Sequence, residues 1–208
     1  MVAFRWRGGA DGALDRELKR LERQVRRART TAEAASLYSR AGDLCVQEGD
    51  VDRGLRYYGK SINAYLEGDL FAAARAVCRK LLRVSPNAVR ARSTLAWISI
   101  RDDLVSEAEQ EVAGYVDAAI RAAQEPTAAV HLRLMADATP APQLREEIAH
   151  HLMTLGDPEA ANAVLARLFE EVQGKIEPLS YEEADRYWEL ALRTVIIRSD
   201  ERDADLAP

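Results

Sequence analysis

Cysteine, histidine, lysine and aromatic residues are all scarce in this chain of 208 residues. The two cysteines, Cys45 and Cys78, both fall inside helical patterns and make no disulfide framework. Three histidines (His131, His150 and His151) leave little material for a metal site or an acid–base pair. Only Glu147 and His150 stand at the Glu-x-x-His spacing of carboxylate-bridged di-metal centres. Such a centre needs a second copy and two further glutamates, and His131 has no matching glutamate, so no metal and no cofactor is expected. Gly8, Gly9 and Gly12 follow no strand, which makes them a flexible lead-in and not a phosphate loop. No nucleophile motif is present, and the expectation is a protein that is not an enzyme. No apolar stretch approaches the roughly twenty residues of a membrane span. The start, Met-Val-Ala-Phe-Arg-Trp-Arg-Gly-Gly, lacks the apolar run of a signal peptide. Only 4 of the 29 basic residues are lysine, which with the alanine richness points to a GC-rich bacterial genome. A cytoplasmic, reduced protein is expected.

What is plentiful is helix-forming and charged. Hydrophobic residues make up 48% and charged residues 30%, the balance of a folded chain. The net charge of −5 hides a segregation. Residues 1–29 hold nine Arg/Lys against four Asp/Glu, and residues 70–101 hold seven basic residues and no acidic one. Acids then crowd in at Asp102, Asp103, Glu107, Glu109 and Glu111. Such blocks say more about partners than the total does.

Helix is the only regular structure the pattern predicts. Leu14, Leu18, Leu21 and Val25 put one apolar stripe on a charged helix over 12–29. Thr30 with Glu33 forms a capping box for a helix over 32–48. Further helices are predicted over 51–66, 69–84, 87–101, 104–123, 127–137, 142–154, 158–173 and 181–198, the last opened by a second capping box of Ser180 and Glu183. Pro126 and Pro158 suit first helical turns, where a missing N–H costs nothing. That makes about ten helices, or five hairpins, between a flexible lead at 1–11 and a disordered acidic tail at 199–208.

The turns carry a recurrence. Gly68-Asp69 is followed thirty-four residues later by Asp102-Asp103, with Ser85-Pro86-Asn87 between them. Tyr57, Ser61 and Ala64 lead to Gly68-Asp69-Leu70, then Ala73, Val77 and Pro86. The next unit gives Leu95, Ala96 and Ser99, then Asp103-Leu104, Ala108 and Val112. Weaker echoes surround Gly49-Asp50 and Gly156-Asp157. In these residues, over roughly 32–173, the chain resembles the tetratricopeptide-repeat family. The resemblance implies an all-α fold, a right-handed α-solenoid occupying 12–198 as one domain. Taking Ser85-Pro86-Asn87 to set the phase makes 51–84 one unit and 85–118 the next.

The resemblance also implies that the first helix of each pair lines a concave groove. Tyr58, Ile62 and Tyr65 would then form its floor, with Arg90, Ser93, Trp97 and Arg101 on the neighbouring helix. Aromatic anchors beside arginines suit a peptide or protein segment of acidic character. Arg75, Arg79 and Arg83 make a second basic stripe, on the opposite face. The functional expectation is an adaptor, a scaffold or a subunit of a larger assembly, with a homo-oligomer as one form of it. The alternative is a nucleic-acid or phosphate-binding module using the arginines of 70–101. The basic helix at 12–29 is expected to cap the end of the stack.

Overall fold

The computed structural model describes residues 10–173, with side chains over 12–171. Among the described residues there are nine α-helices and no strand: α1 (Ala10–Val25), α2 (Thr31–Gln47), α3 (Val51–Glu67), α4 (Phe71–Val84), α5 (Val89–Arg101), α6 (Val105–Arg121), α7 (Glu125–Ala138), α8 (Pro142–Thr154) and α9 (Pro158–Gln173). The fold is all-α, made of consecutive helical hairpins. The lead at 1–9, the helix expected over 181–198 and the tail at 199–208 lie outside the described residues.

Local chemistry explains where the helices stop. Five of the joints close on a residue in the left-handed region: Gly49 (φ 83°), Asp69 (56°), Asp103 (54°), Ala123 (52°) and Gly156 (77°). Each is followed by a residue whose N–H reaches back over a full turn. Asp50 N donates to Cys45 O at 2.8 Å, Leu70 N to Tyr65 O at 2.8 Å and Leu104 N to Ser99 O at 2.9 Å. Gln124 N to Ala119 O and Asp157 N to Leu152 O complete the set, both at 2.9 Å. These are Schellman caps, which satisfy carbonyls that a helix end leaves without partners. The other two joints within this stretch, after α4 and after α7, are the proline-marked ones.

The caps sharpen the thirty-four-residue recurrence. Gly49 to Asp103 and Asp69 to Ala123 are each fifty-four residues apart, a distance of three helices. The proline joints after α4 and α7 are likewise three helices apart. In an array of helix pairs, one of those joints falls between pairs and the other within a pair. Proline therefore occurs at both kinds of joint, and Ser85-Pro86-Asn87 alone does not fix which helix is first in a pair.

The N-terminal cap of α2 forms as expected. Thr30 is extended (φ −133°, ψ 153°) and its hydroxyl accepts from Glu33 N. The Glu33 carboxylate accepts in return from Arg29 N at 3.0 Å, one residue ahead of the cap. That geometry draws residues 26–29 out of helix, so α1 ends at Val25 and not at Arg29.

The chain forms two compact units, residues 1–94 and 95–208, with the boundary inside α5. In the first unit α1 packs on α2, α2 on α3 and α3 on α4. Polar bonds tie alternate helices. Tyr57 donates its hydroxyl to Glu22 at 2.7 Å (α3 to α1), and Lys80 Nζ meets Asp43 at 2.8 Å (α4 to α2). Arg90 Nη2 donates to Asn63 Oδ1 at 3.1 Å (α5 to α3). Leu14, Leu18 and Leu21 of α1 are buried in one cluster with Ala41, Cys45 and Tyr57. Here α1 buries the three leucines of its apolar stripe in the first unit, while Val25 is half-buried.

Small residues bring α2 and α3 together. A Cβ on Gly42 would lie 2.6 Å from two ring carbons of Tyr58, and one on Gly54 would lie 2.7 Å from Val46 Cγ2. Buried Ser61 donates its hydroxyl to Ala35 O at 2.8 Å across the same interface. In the second unit α6 packs on α7 and α8, α7 on α8 and α9, and α8 on α9. Its core is built from Val112, Tyr115, Leu132, Met135, Leu144, Ile148, Leu152, Leu165 and Leu168.

Candidate interaction surfaces

The residues expected to line a groove separate into three groups. Tyr58 and Ile62 are buried, at 3% and 5% exposure, inside the first unit and not on an open floor. The Tyr58 ring lies against Gly42 and its hydroxyl donates to Asp43 Oδ1 at 2.8 Å. Burial, followed by the Asp43 bond, pushes this phenol well above its ordinary range. Ser93 is also buried. Tyr65 is half-buried and Arg90 is exposed, and the Arg90–Asn63 bond sets α5 beside α3 within the first unit. Trp97 and Arg101 belong to the second unit, where Trp97 is half-buried and Arg101 is exposed, paired with Asp102 at 2.9 Å.

The reason for the buried pair lies in the neighbours of α3. It packs on α2 and α4 and is also bonded to α1 and α5. Its buried arc is therefore wide, taking in Gly54, Tyr57, Tyr58, Ser61, Ile62 and Ala64. Residues at i and i+4 share a face, but nothing in that spacing says whether the face is open.

The acid-free arginine block is not one surface either. Arg79 and Arg83 are exposed on α4 and Arg75 is half-buried, while Arg75 and Arg79 have partners of their own. Arg92 Nε donates to Pro86 O at 2.8 Å. Lys80 is held by Asp43 and Ser39.

Metal and nucleophile chemistry finds no purchase among the described residues. No group of three His, Cys, Asp or Glu is placed to hold a metal. His150 is exposed, and it is His151 that approaches Glu147, at 3.8 Å. Burial lowers the His151 pKa, against an opposing pull from Glu147. Cys45 and Cys78 are free and buried, and burial raises the Cys45 thiol, which makes it a poor nucleophile. No helix among the described residues is long and apolar enough to cross a membrane.

The second unit holds a surface that the sequence reading passed over. A cavity of about 290 Å³ opens between α7 and α9, lined by Arg133, Asp137, Glu159, Ala160, Ala163, Val164 and Arg167. Arg133 is paired with Asp157, and Arg167 with Asp137 at 2.6 Å, so ion pairs bridge the two helices across it. Beside it on α7, Val130 and Leu134 are 51% and 52% exposed. They stand one turn apart on the same solvent face as Arg133 and Asp137. The signal was present in the sequence, since α7 is apolar on more than one face.

The units also differ in charge. Residues 1–94 contain 19 Arg/Lys and 11 Asp/Glu, a net of +8, and residues 95–208 contain 10 and 23, a net of −13.

No family model matches the chain, and no curated protein matches it. Among solved structures it is similar to a tetratricopeptide repeat protein from Parabacteroides merdae, at 13% identity over 88% of this chain and 79% of that one. The TM-score of 0.23 is too low to carry an argument. The likeness to tetratricopeptide repeats stands on the hairpins, caps and small-residue contacts of this chain.

Proposed function

We propose that this chain is a non-enzymatic interaction module, cytoplasmic, which holds a segment of another protein on the solvent faces of its alternate helices. The observation that carries the reading is the α7–α9 groove with Val130 and Leu134 beside it. Val130 and Leu134 leave about half of their apolar surface in water one turn apart. Next to a groove with a small-residue floor and a polar rim, they have the composition of a docking site. Arg133 and Arg167 are each paired with an aspartate and Glu159 adds one acid, so the segment is held chiefly by apolar side chains over Ala160, Ala163 and Val164. In the first unit, Tyr65 and Arg90 on α3 and α5 offer a contact for acidic residues of a partner.

The test is affinity capture of the partner from the native host with the unchanged chain, then with Val130→Asp/Leu134→Asp. Recovery is expected to fall at least tenfold with helical content unchanged by circular dichroism. Recovery of the same partner at full yield from the double variant would sink the groove reading. Arg90→Glu and Trp97→Ala, assayed alongside, report whether the α3 and α5 faces take part.

A further inference from the structure

We propose that the solvent face of α1 binds the phosphate backbone of a nucleic-acid duplex without reading its sequence. This is a different helix and a different partner class from the groove described above.

Arg16, Lys19, Arg20 and Arg23 are all exposed and, at about 100° per residue, share one arc of roughly 100° on α1. Arg26 continues the same stripe, since its N–H still bonds to Glu22 O at 3.1 Å, and exposed Arg27 follows it. At about 1.5 Å per residue the row of cations from Arg16 to Arg27 is ~16 Å long. The acids of α1 do little to neutralise it. Asp15 is taken by Arg53 at 2.6 Å, Glu22 accepts the Tyr57 hydroxyl at 2.7 Å, and Glu17 lies 3.6 Å from Arg20. Arg16, Lys19, Arg23, Arg26 and Arg27 have no ion pair among the described residues.

The structure narrows the polyanion. A membrane surface is disfavoured because Leu14, Leu18 and Leu21 are buried in the core, which leaves α1 no apolar face to insert. Capture of unpaired bases needs aromatic platforms, and α1 contains no aromatic residue. A protein partner needs a buried anchor at the centre of its contact, and the cationic face offers only charged and amide side chains. A duplex needs none of these. It presents a negative charge about every 1.7 Å of axis, so ~16 Å of it carries about ten phosphates, a denser row than any acidic helix. The net charge of +8 on residues 1–94 favours a polyanion at this face.

The experiment is fluorescence anisotropy with the full chain and two labelled DNA duplexes of unrelated sequence, across a salt series. With about five cations engaged, affinity should fall about 500-fold between ~50 and ~200 mM salt, equally for both duplexes. The variant Arg16→Gln/Arg20→Gln/Arg23→Gln should weaken binding at low salt and cut that salt loss to about tenfold. The corresponding triple lysine variant should restore the steep dependence. Circular dichroism checks that the variants fold, and the salt dependence of the unchanged chain stands as a measure that needs no variant. Absence of duplex binding at ~50 mM salt, or a salt dependence that the glutamine variant leaves intact, would overturn the proposal. So would tighter binding of polyglutamate or of phosphatidylglycerol vesicles at equal charge concentration. A salt-sensitive dimer in light scattering that forms in place of duplex binding would assign the face to a second copy of the chain.

Discussion

Gly42 carries a quantitative consequence of how α2 meets α3. In Gly42→Ala the new Cβ would stand 2.6 Å from Tyr58 Cδ1 and Cε1 and 3.1 Å from Cγ. Carbon atoms in contact prefer ~3.5–4.0 Å, so the ring must withdraw by about 1 Å. It has little room to do so, because Tyr58 is 3% exposed and its hydroxyl is held by Asp43, which Lys80 holds in turn. Overpacking of this kind costs about 1–3 kcal/mol, and loss of the bond to the Asp43 carboxylate would add about 1.5–3 kcal/mol. Against this stands the helix-propensity gain of alanine over glycine, about 1 kcal/mol. The net is a destabilisation of about 1.5–5 kcal/mol, or roughly 3–20 °C in Tm at ~2–4 °C per kcal/mol. Gly59 is the internal control. It lies in α3, and a Cβ there meets nothing within 4 Å. Gly59→Ala should therefore stabilise by about 0.5–1 kcal/mol through propensity alone. Urea unfolding followed at 222 nm compares the two directly. If Gly42→Ala proved as stable as Gly59→Ala, the close approach of α2 and α3 would be refuted.

Further outcomes follow from the caps and the charged groups. Ala123→Gly removes a left-handed alanine (φ 52°) from the α6–α7 joint and should raise stability by about 0.5–1 kcal/mol, read as a higher Tm. Gly49→Ala should lower it by a similar amount, because the same cap would then strain a side chain at φ 83°. His151 has a folded-state pKa below its ordinary 6.5, with burial the leading cause. Its contribution is thus complete above about pH 6.5 and is lost as the pH falls through the folded value, since the unfolded chain takes up the proton first. The urea midpoint should drop between pH 7.5 and 5.5, and His151→Asn should flatten that drop; an unchanged slope would refute the burial argument. Lys80→Met breaks the contact with Asp43, a pair more than a third exposed, so the expected loss is below about 1 kcal/mol and should shrink further in high salt.

Much of the architecture was legible because helix ends announce themselves. Thr30 with Glu33, Gly49-Asp50, Gly68-Asp69 and Gly156-Asp157 each put a recognisable residue at a cap, and the last three joints lie within two residues of where they were expected, while α1 stops four residues short. Ala123 shows the limit. Its joint is closed by Gln124 N on Ala119 O, a main-chain bond that needs no particular side chain, so no residue there fixes the exact point of the turn. The α6–α7 turn accordingly comes two residues earlier than expected, with α6 ending at Arg121 and α7 starting at Glu125. Pair phase was hidden for a related reason. Helices of nearly equal length, with proline joints three helices apart, supply a rhythm but no marker of which helix is first in a pair.

Which faces are open was legible only where a helix has few neighbours. In its described part α1 packs on α2 and reaches α3 through Asp15 and Glu22, so one side of it meets protein and the other meets water. Leucines occupy the first side and arginines the second, and the periodicity alone separates them. For α3, with protein on several sides, the same arithmetic groups Tyr58, Ile62 and Tyr65 correctly but cannot say that the first two face inward. Aromatic and aliphatic residues are ambiguous in this way, because core and docking surface use the same side chains. Arginine is not ambiguous, since burying several without partners is prohibitively costly. Surfaces are therefore most legible from charge on a helix with few packed neighbours, as on α1. Val130 and Leu134 make the complementary point: an apolar docking site in such a fold becomes visible only once the neighbours of its helix are known.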